Sequence, residues 1–85
     1  MFHTVRDVIP IEDYSLIVEF DSGQSKVIDV KPLIANMPDF KELYGNKSLF
    51  ETVRRVHDGY GVGWTDKMYL FCDFLWETEE KKVDK

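Results

Sequence analysis

The chain has few of the residues on which metal sites, disulfides and thiol chemistry depend. Its 85 residues include one cysteine, Cys72, and two histidines, His3 and His57. These three side chains lack the spacing of metal ligands, and a single cysteine cannot form an internal disulfide. We therefore predict no metal site. We expect Cys72, which lies between aromatic residues, to be a small buried hydrophobic residue.

Glycine is also scarce, with five residues, and none of them opens a phosphate-binding loop. Gly59, Gly61 and Gly63 alternate along a predicted hairpin, whereas dinucleotide and P-loop sites need glycines at the start of a helix. No serine lies in a nucleophile elbow. We predict no catalytic residue and no cofactor, and hence a protein that is not an enzyme.

Long hydrophobic runs and an excess of positive charge are absent as well. No apolar run approaches the roughly 20 residues of a membrane-spanning helix, and no basic region followed by an apolar run marks a signal peptide. Sixteen acidic residues against eleven basic ones give a formal net charge of -5, which repels phosphate backbones. We expect a cytoplasmic protein that contacts neither a membrane nor nucleic acid directly.

What the chain does contain is enough apolar and aromatic area for one small core. Hydrophobic residues make up 44% of the sequence, and they include six Phe, four Tyr and two Trp. A chain of this length is expected to form one domain. We place a single α+β domain at residues 1–78 and a charged, frayed tail at residues 79–85.

The first half of the chain predicts strands followed by a helix. Residues 5–11 have the composition of a strand, and residues 14–20 alternate between two faces. A three-residue loop follows, in which we predict that Gly23 takes the left-handed conformation of a bulged hairpin turn. Residues 24–30 return as the partner strand, and Pro32 suits the first position of a short helix.

The second half predicts another hairpin and a last helix. Residues 54–57 and 60–64 flank Asp58-Gly59, which is a strong signal for a two-residue turn. Residues 68–71 form a further short strand, and residues 73–80 form the helix.

Short helices connect the two halves, and Ser48 and Glu51 have the spacing of a capping box at the start of one of them. The predicted order is β-β-β-α-α-β-β-α. This order indicates an α+β fold, in which two antiparallel hairpins form a small sheet with short helices packed on one face.

Aromatic residues crowd the last third of the chain. Most of them must be buried in so small a domain, but one sheet face has limited room for them. Exposed Trp and Tyr side chains dominate interaction hot spots. We therefore predict a partner-binding site formed by Trp64, Asp66, Tyr69 and Trp76.

Six segments made of turn and core residues follow one another along the chain. They are Tyr14-x-Leu16-x-Val18-x-Phe20-Asp21-x-Gly23, Asp29-Val30-Lys31-Pro32-Leu33, Phe40-x-x-Leu43, Leu49-Phe50-x-x-Val53, Gly63-Trp64-x-Asp66 and Leu75-Trp76. In these segments and their order, the sequence resembles the bacterial family of domains of unknown function numbered 2442, and the resemblance covers nearly the whole chain, to about Glu77. It implies a small α+β domain with no established activity, and some relatives occur beside helix-turn-helix domains or in toxin–antitoxin-type gene pairs.

Three functional hypotheses follow. The first is a protein-interaction module that regulates or neutralises a partner protein, in the manner of toxin–antitoxin pairs. The alternative is a small ligand-binding domain or enzyme, with its site near Trp64, Asp66 and Asp73 between the second hairpin and the last helix. The third is a homodimer that forms through an exposed edge strand.

Overall fold

The structure is a computed structural model that describes residues 3–78 and residue 80. The predicted tail at residues 79–85 lies outside the described residues, apart from Glu80. The fold is α+β, as predicted, and six strands and three α-helices are seen in the described part of the chain. In chain order they are β1 Val5–Ile11, β2 Ser15–Phe20, β3 Ser25–Asp29, α1 Lys31–Asn36, α2 Lys47–Phe50, β4 Arg54–Val56, β5 Gly61–Thr65, β6 Met68–Phe71 and α3 Cys72–Glu77.

The first sheet has the antiparallel order β1-β2-β3. Its alternating strand is β2, in which Leu16, Val18 and Phe20 are fully buried. Gly23 lies in the loop that follows, with φ +95°, and its N–H donates to the Phe20 carbonyl over 2.8 Å. The left-handed turn residue predicted for this hairpin is therefore confirmed.

The second sheet has the antiparallel order β4-β5-β6 and is separate from the first. The strands thus form two three-stranded sheets where the sequence indicated one small sheet. The predicted turn between β4 and β5 has two residues, Asp58 and Gly59. In the structure, His57, Asp58 and Gly59 all have positive φ values, and the turn is longer. Three left-handed residues in succession give a wider loop that includes the short 3₁₀ turn His57–Gly59.

The segment between the sheets is mostly helical. After α1, which carries Pro32 near its start, the chain forms a 3₁₀ helix at Pro38–Leu43. The cap of α2 differs from the prediction: Asn46, not Ser48, caps it, since the Asn46 side chain accepts from the Leu49 N–H over 3.2 Å. Ser48 lies one residue inside the helix.

One core lies between the two sheets and under the helices. Among residues 3–78 and residue 80, it contains 18 buried apolar side chains, drawn from both sheets and from every helical segment except the loop turn at residues 57–59. A contact between β1 and β4 joins the two sheets, and we call this place the junction: the Arg55 Nε donates to the Val5 carbonyl over 2.9 Å. The end of α3 packs on β3, where the Lys26 Nζ donates to the Trp76 carbonyl over 2.6 Å.

Candidate functional site

The outer face of the second sheet carries the most exposed aromatic area near the predicted site. Cross-strand partners lie on the same face of a sheet, and the register aligns Arg54 with Gly63 and Tyr69 in one row. The next row aligns Val56 with Gly61 and Phe71. We call this surface the aromatic face, and its residues are Arg54, Val56, Gly61, Gly63, Tyr69 and Phe71.

Glycine occupies the middle strand of the aromatic face for a steric reason. A Cβ atom added at Gly63 would lie 2.9 Å from the Cβ of Tyr69, and one added at Gly61 would lie 2.8 Å from the Leu70 carbonyl oxygen. Neither position has room for a side chain. The central strand β5 therefore contributes only backbone to this face, and the flanking strands β4 and β6 supply its side chains.

The aromatic rings on this face are held together and remain open to solvent. Tyr69 is 38% exposed and Phe71 is 56% exposed. Their rings meet edge to face with centroids 5.3 Å apart, and the ring of His57 meets Tyr69 at 5.7 Å. Such T-shaped pairs contribute about 0.5–1.5 kcal/mol beyond the area that they bury, which favours this arrangement of the rings. The face is consequently a preorganised apolar surface rather than a set of free side chains.

A shallow concavity of about 320 Å³ lies at one end of the aromatic face. The residues that line it include Arg54, His57, Asp66 and Tyr69. Arg54 forms no salt bridge with any other residue in the described part of the chain. Within residues 3–78 and residue 80, no group of three or more His, Cys, Asp or Glu side chains is placed to hold a metal ion.

The structure divides the four residues of the predicted partner-binding site. Asp66 and Tyr69 lie together at the concavity. Trp64 is only 3% exposed, and its indole N–H donates to the Phe50 carbonyl over 2.8 Å. Trp64 therefore packs in the core and offers no surface to a partner, because it points to the opposite side of β5 from Gly63.

Trp76 lies in different surroundings from Asp66 and Tyr69. It is half-buried on α3, where its ring stacks on His3 with centroids 3.6 Å apart and meets the ring of Phe20 edge-on at 5.0 Å. These contacts place Trp76 against the first sheet. In the described structure, Trp76 therefore covers the core next to Phe20 of β2.

Cys72 lies at the start of α3 and is 1% exposed, as predicted for a small buried hydrophobic residue. Burial raises the pKa of the Cys72 thiol, and the neighbouring charge of Asp73 raises this pKa further. The thiol is therefore protonated at neutral pH. A nucleophilic role, which requires a lowered pKa, has no support here.

A second concave surface was not indicated by the sequence. The rings of Tyr14 and Tyr44 stack with centroids 6.4 Å apart beside a groove of about 470 Å³ that Ile34, Lys31 and Lys41 also line. The Tyr14 hydroxyl accepts from the Gly45 N–H over 2.7 Å. Tyr14 has φ +54°, an uncommon value for an aromatic residue, and no local motif signals it in advance.

The fold and its surfaces define a small α+β domain of two antiparallel sheets around a shared core, with one preorganised aromatic face. The chain belongs to the protein family of unknown function DUF2442, whose model matches residues 5–78. No curated protein and no solved structure matches the chain. In addition, no helix in the described residues is long and apolar enough to cross a membrane.

Proposed function

We propose that this domain is a protein-interaction module that regulates a cytoplasmic partner protein, and that it binds this partner through the aromatic face. The observation that carries the proposal is the pair of exposed, mutually packed rings of Tyr69 and Phe71 beside Arg54. Aromatic and Arg side chains are the residues that most often dominate binding energy at protein interfaces.

The chemistry of the face specifies the kind of partner. The two rings offer apolar area, and Arg54 offers a guanidinium without an ion-pair partner in the described part of the chain. A complementary surface would present apolar side chains next to a carboxylate, which a guanidinium binds through two parallel hydrogen bonds. The resemblance to domains in toxin–antitoxin-type gene pairs supports a regulatory or neutralising role for such a complex.

Affinity purification from the native host at native expression levels tests this proposal. We expect the wild-type chain to recover one stoichiometric partner, whereas a variant with Tyr69→Ser and Phe71→Ser loses it. Tyr44→Ser is the matched control, because Tyr44 is 76% exposed but lies outside the aromatic face. Binding is then remeasured by calorimetry with the two purified proteins. Recovery of the bare domain alone would contradict the proposal.

A ligand-binding or enzymatic function is the second candidate, because a concavity exists near the predicted position and contains both His57 and Asp66. An imidazole and a carboxylate at one site can share acid–base work. A fragment screen by NMR, monitored at residues of the concavity, would support this candidate if shifts concentrate there. Shifts that disappear in His57→Ala but persist in Tyr44→Ser would assign the site.

A further inference from the structure

The end of α3 is tied to β3 through a lysine on the core-facing side of that strand. Lys26 lies opposite the fully buried Val18 and two residues before the fully buried Ile28, so all three side chains are on one face of the sheet. The half-buried Lys26 ammonium donates to two backbone carbonyls, those of Trp76 and Thr78. These carbonyls supply the hydrogen bonds that a partly buried ammonium requires.

The two carbonyls are available to Lys26 because α3 ends there. Thr78 caps the helix, since its N–H and its hydroxyl donate to the Phe74 carbonyl over 2.9 Å and 2.6 Å. The last carbonyls of a helix have no donor within the helix, and a lysine side chain can supply one. The Lys26 ammonium therefore holds the end of α3 against the first sheet.

A second contact lies on the edge of β3 itself. β3 is an outer strand in the order β1-β2-β3, and Val27 is its central residue. The Val27 N–H donates to the Glu80 carboxylate over 3.4 Å, so this N–H points away from β2. We call the residues that reach β3 from the end of the chain, Trp76, Thr78 and Glu80, the strap.

The strap occupies a position that an added strand would need. A strand that pairs along β3 uses the outward N–H and carbonyl of Val27, and the Glu80 carboxylate already accepts from that N–H. Open sheet edges invite pairing with other chains, and proteins often cover such edges with a helix or a loop. The structure shows this edge covered by a segment of the same chain.

We propose that the strap closes the edge of β3 against strand addition and that Lys26 is its latch. Cys72 and Leu75 are buried and anchor the first part of α3 in the core. Beyond them, the ammonium of Lys26, the N–H of Val27 and the ring contacts of Trp76 hold the strap. Loss of the ammonium therefore releases the strap while the core stays folded.

This role for β3 is separate from the proposed interaction through the aromatic face. The strap contacts the first sheet, whereas the aromatic face belongs to the second sheet. The inference does not rest on the proposed partner protein. It makes the edge of β3 a conditional surface, which pairs with another chain only after the strap has been released.

Substitutions at Lys26 test the latch, with hydrogen exchange of the full chain followed by NMR. Lys26→Met keeps most of the aliphatic side chain and removes the ammonium. Hydrogen bonds to a charged group change an equilibrium by about tenfold or more, so the Val27 amide should exchange at least about tenfold faster. Lys26→Arg should keep this amide protected, because a guanidinium can donate to both carbonyls.

Two further variants keep the test clear of misfolding. Glu80→Ala changes an exposed residue and should also speed exchange of the Val27 amide, because it removes the acceptor. Lys31→Met is the matched control: Lys31 follows β3 but pairs with Asp13 over 2.7 Å, so its loss should leave this amide unchanged. The Ile28 amide points towards β2, and its protection in every variant shows that the sheet is intact.

Sedimentation equilibrium then tests what the closed edge prevents. At the same high concentration, Lys26→Met should have a larger average mass than the wild type, because the released edge is open to pairing. Lys26→Arg and Lys31→Met should match the wild type. All of these variants retain Tyr69 and Phe71, so their capture of the partner protein tests the interaction proposal separately.

Three results would overturn the inference. The first is a Val27 amide that exchanges in the wild type as fast as in an unfolded chain. The second is a Lys26→Met variant in which exchange of this amide is unchanged. The third is a Lys26→Met variant that exposes the Val27 amide but has the same average mass as the wild type.

Discussion

Gly59 lies where the two sheets meet, and replacing it with alanine should destabilise the fold more than its backbone conformation alone explains. Gly59 has φ +93°, and a Cβ atom there would lie 2.7 Å from the Val5 carbonyl oxygen and 3.1 Å from the Nε of Arg55. Gly23 has almost the same φ, +95°, but apart from its own atoms and its two chain neighbours, no heavy atom of the described residues lies within 4 Å of the position where its Cβ would be. A comparison of the two glycines therefore separates the cost of a positive φ, which both share, from the cost of a steric clash, which only Gly59 has.

The expected magnitudes follow from these distances. A side chain at positive φ costs about 1–2 kcal/mol, and alanine recovers roughly 0.4–1 kcal/mol by restricting the unfolded chain. Gly23→Ala should therefore lower the free energy of unfolding by about 1 kcal/mol. Gly59→Ala carries the same cost and also displaces the Val5 carbonyl from the Arg55 guanidinium, which adds about 2 kcal/mol.

Urea denaturation of the two variants and the wild type measures this difference. The variants should unfold with similar denaturant slopes, so that their midpoints report stability. A double-mutant cycle with Arg55→Ala isolates the junction, because the extra cost of Gly59→Ala should shrink once the guanidinium is absent. Equal destabilisation by Gly23→Ala and Gly59→Ala would refute the argument that the junction needs glycine for space.

Three further predictions concern the core and the second sheet. Trp64→Phe removes the indole donor to the buried Phe50 carbonyl and should cost about 2 kcal/mol in chemical denaturation, whereas an unchanged midpoint would argue against that hydrogen bond. Burial raises the pKa of Cys72, so the thiol ionises at lower pH in the unfolded chain, and wild-type stability should fall above about pH 8.5. In a pH series of thermal melts, Cys72→Ala should lose less stability at alkaline pH than the wild type. Gly63→Ala should cost about 1–3 kcal/mol through its clash with Tyr69, and an unaltered melting temperature would contradict the packing described for the aromatic face.

The parts of the fold that were predictable rest on local signals. Alternation of Leu16, Val18 and Phe20 identifies the buried face of β2 without any knowledge of its partners. Gly23 marks a left-handed position because few other residues take that conformation readily. Such features depend on neighbours in sequence, and so they can be derived from the chain alone.

The parts that were not predictable depend on distant partners. Trp64 and Tyr69 are both aromatic residues in strands of one hairpin, yet the first is buried and the second is exposed. Which side of the sheet meets the core is decided by the helices and by the first sheet, and a register shift between Gly63 and Thr65 further alters the alternation. The left-handed conformation of His57 likewise has no local motif that signals it.

The contacts of Trp76 also determine when folding can be completed during synthesis. Its ring covers Phe20, and its carbonyl receives the ammonium of Lys26, 50 positions earlier in the chain. The first sheet is translated early, but Phe20 stays uncovered until α3 has left the ribosome. Contacts across so many residues slow folding. A nascent chain that pauses before α3 therefore leaves Phe20, on the core-facing side of β2, accessible to chaperones and proteases.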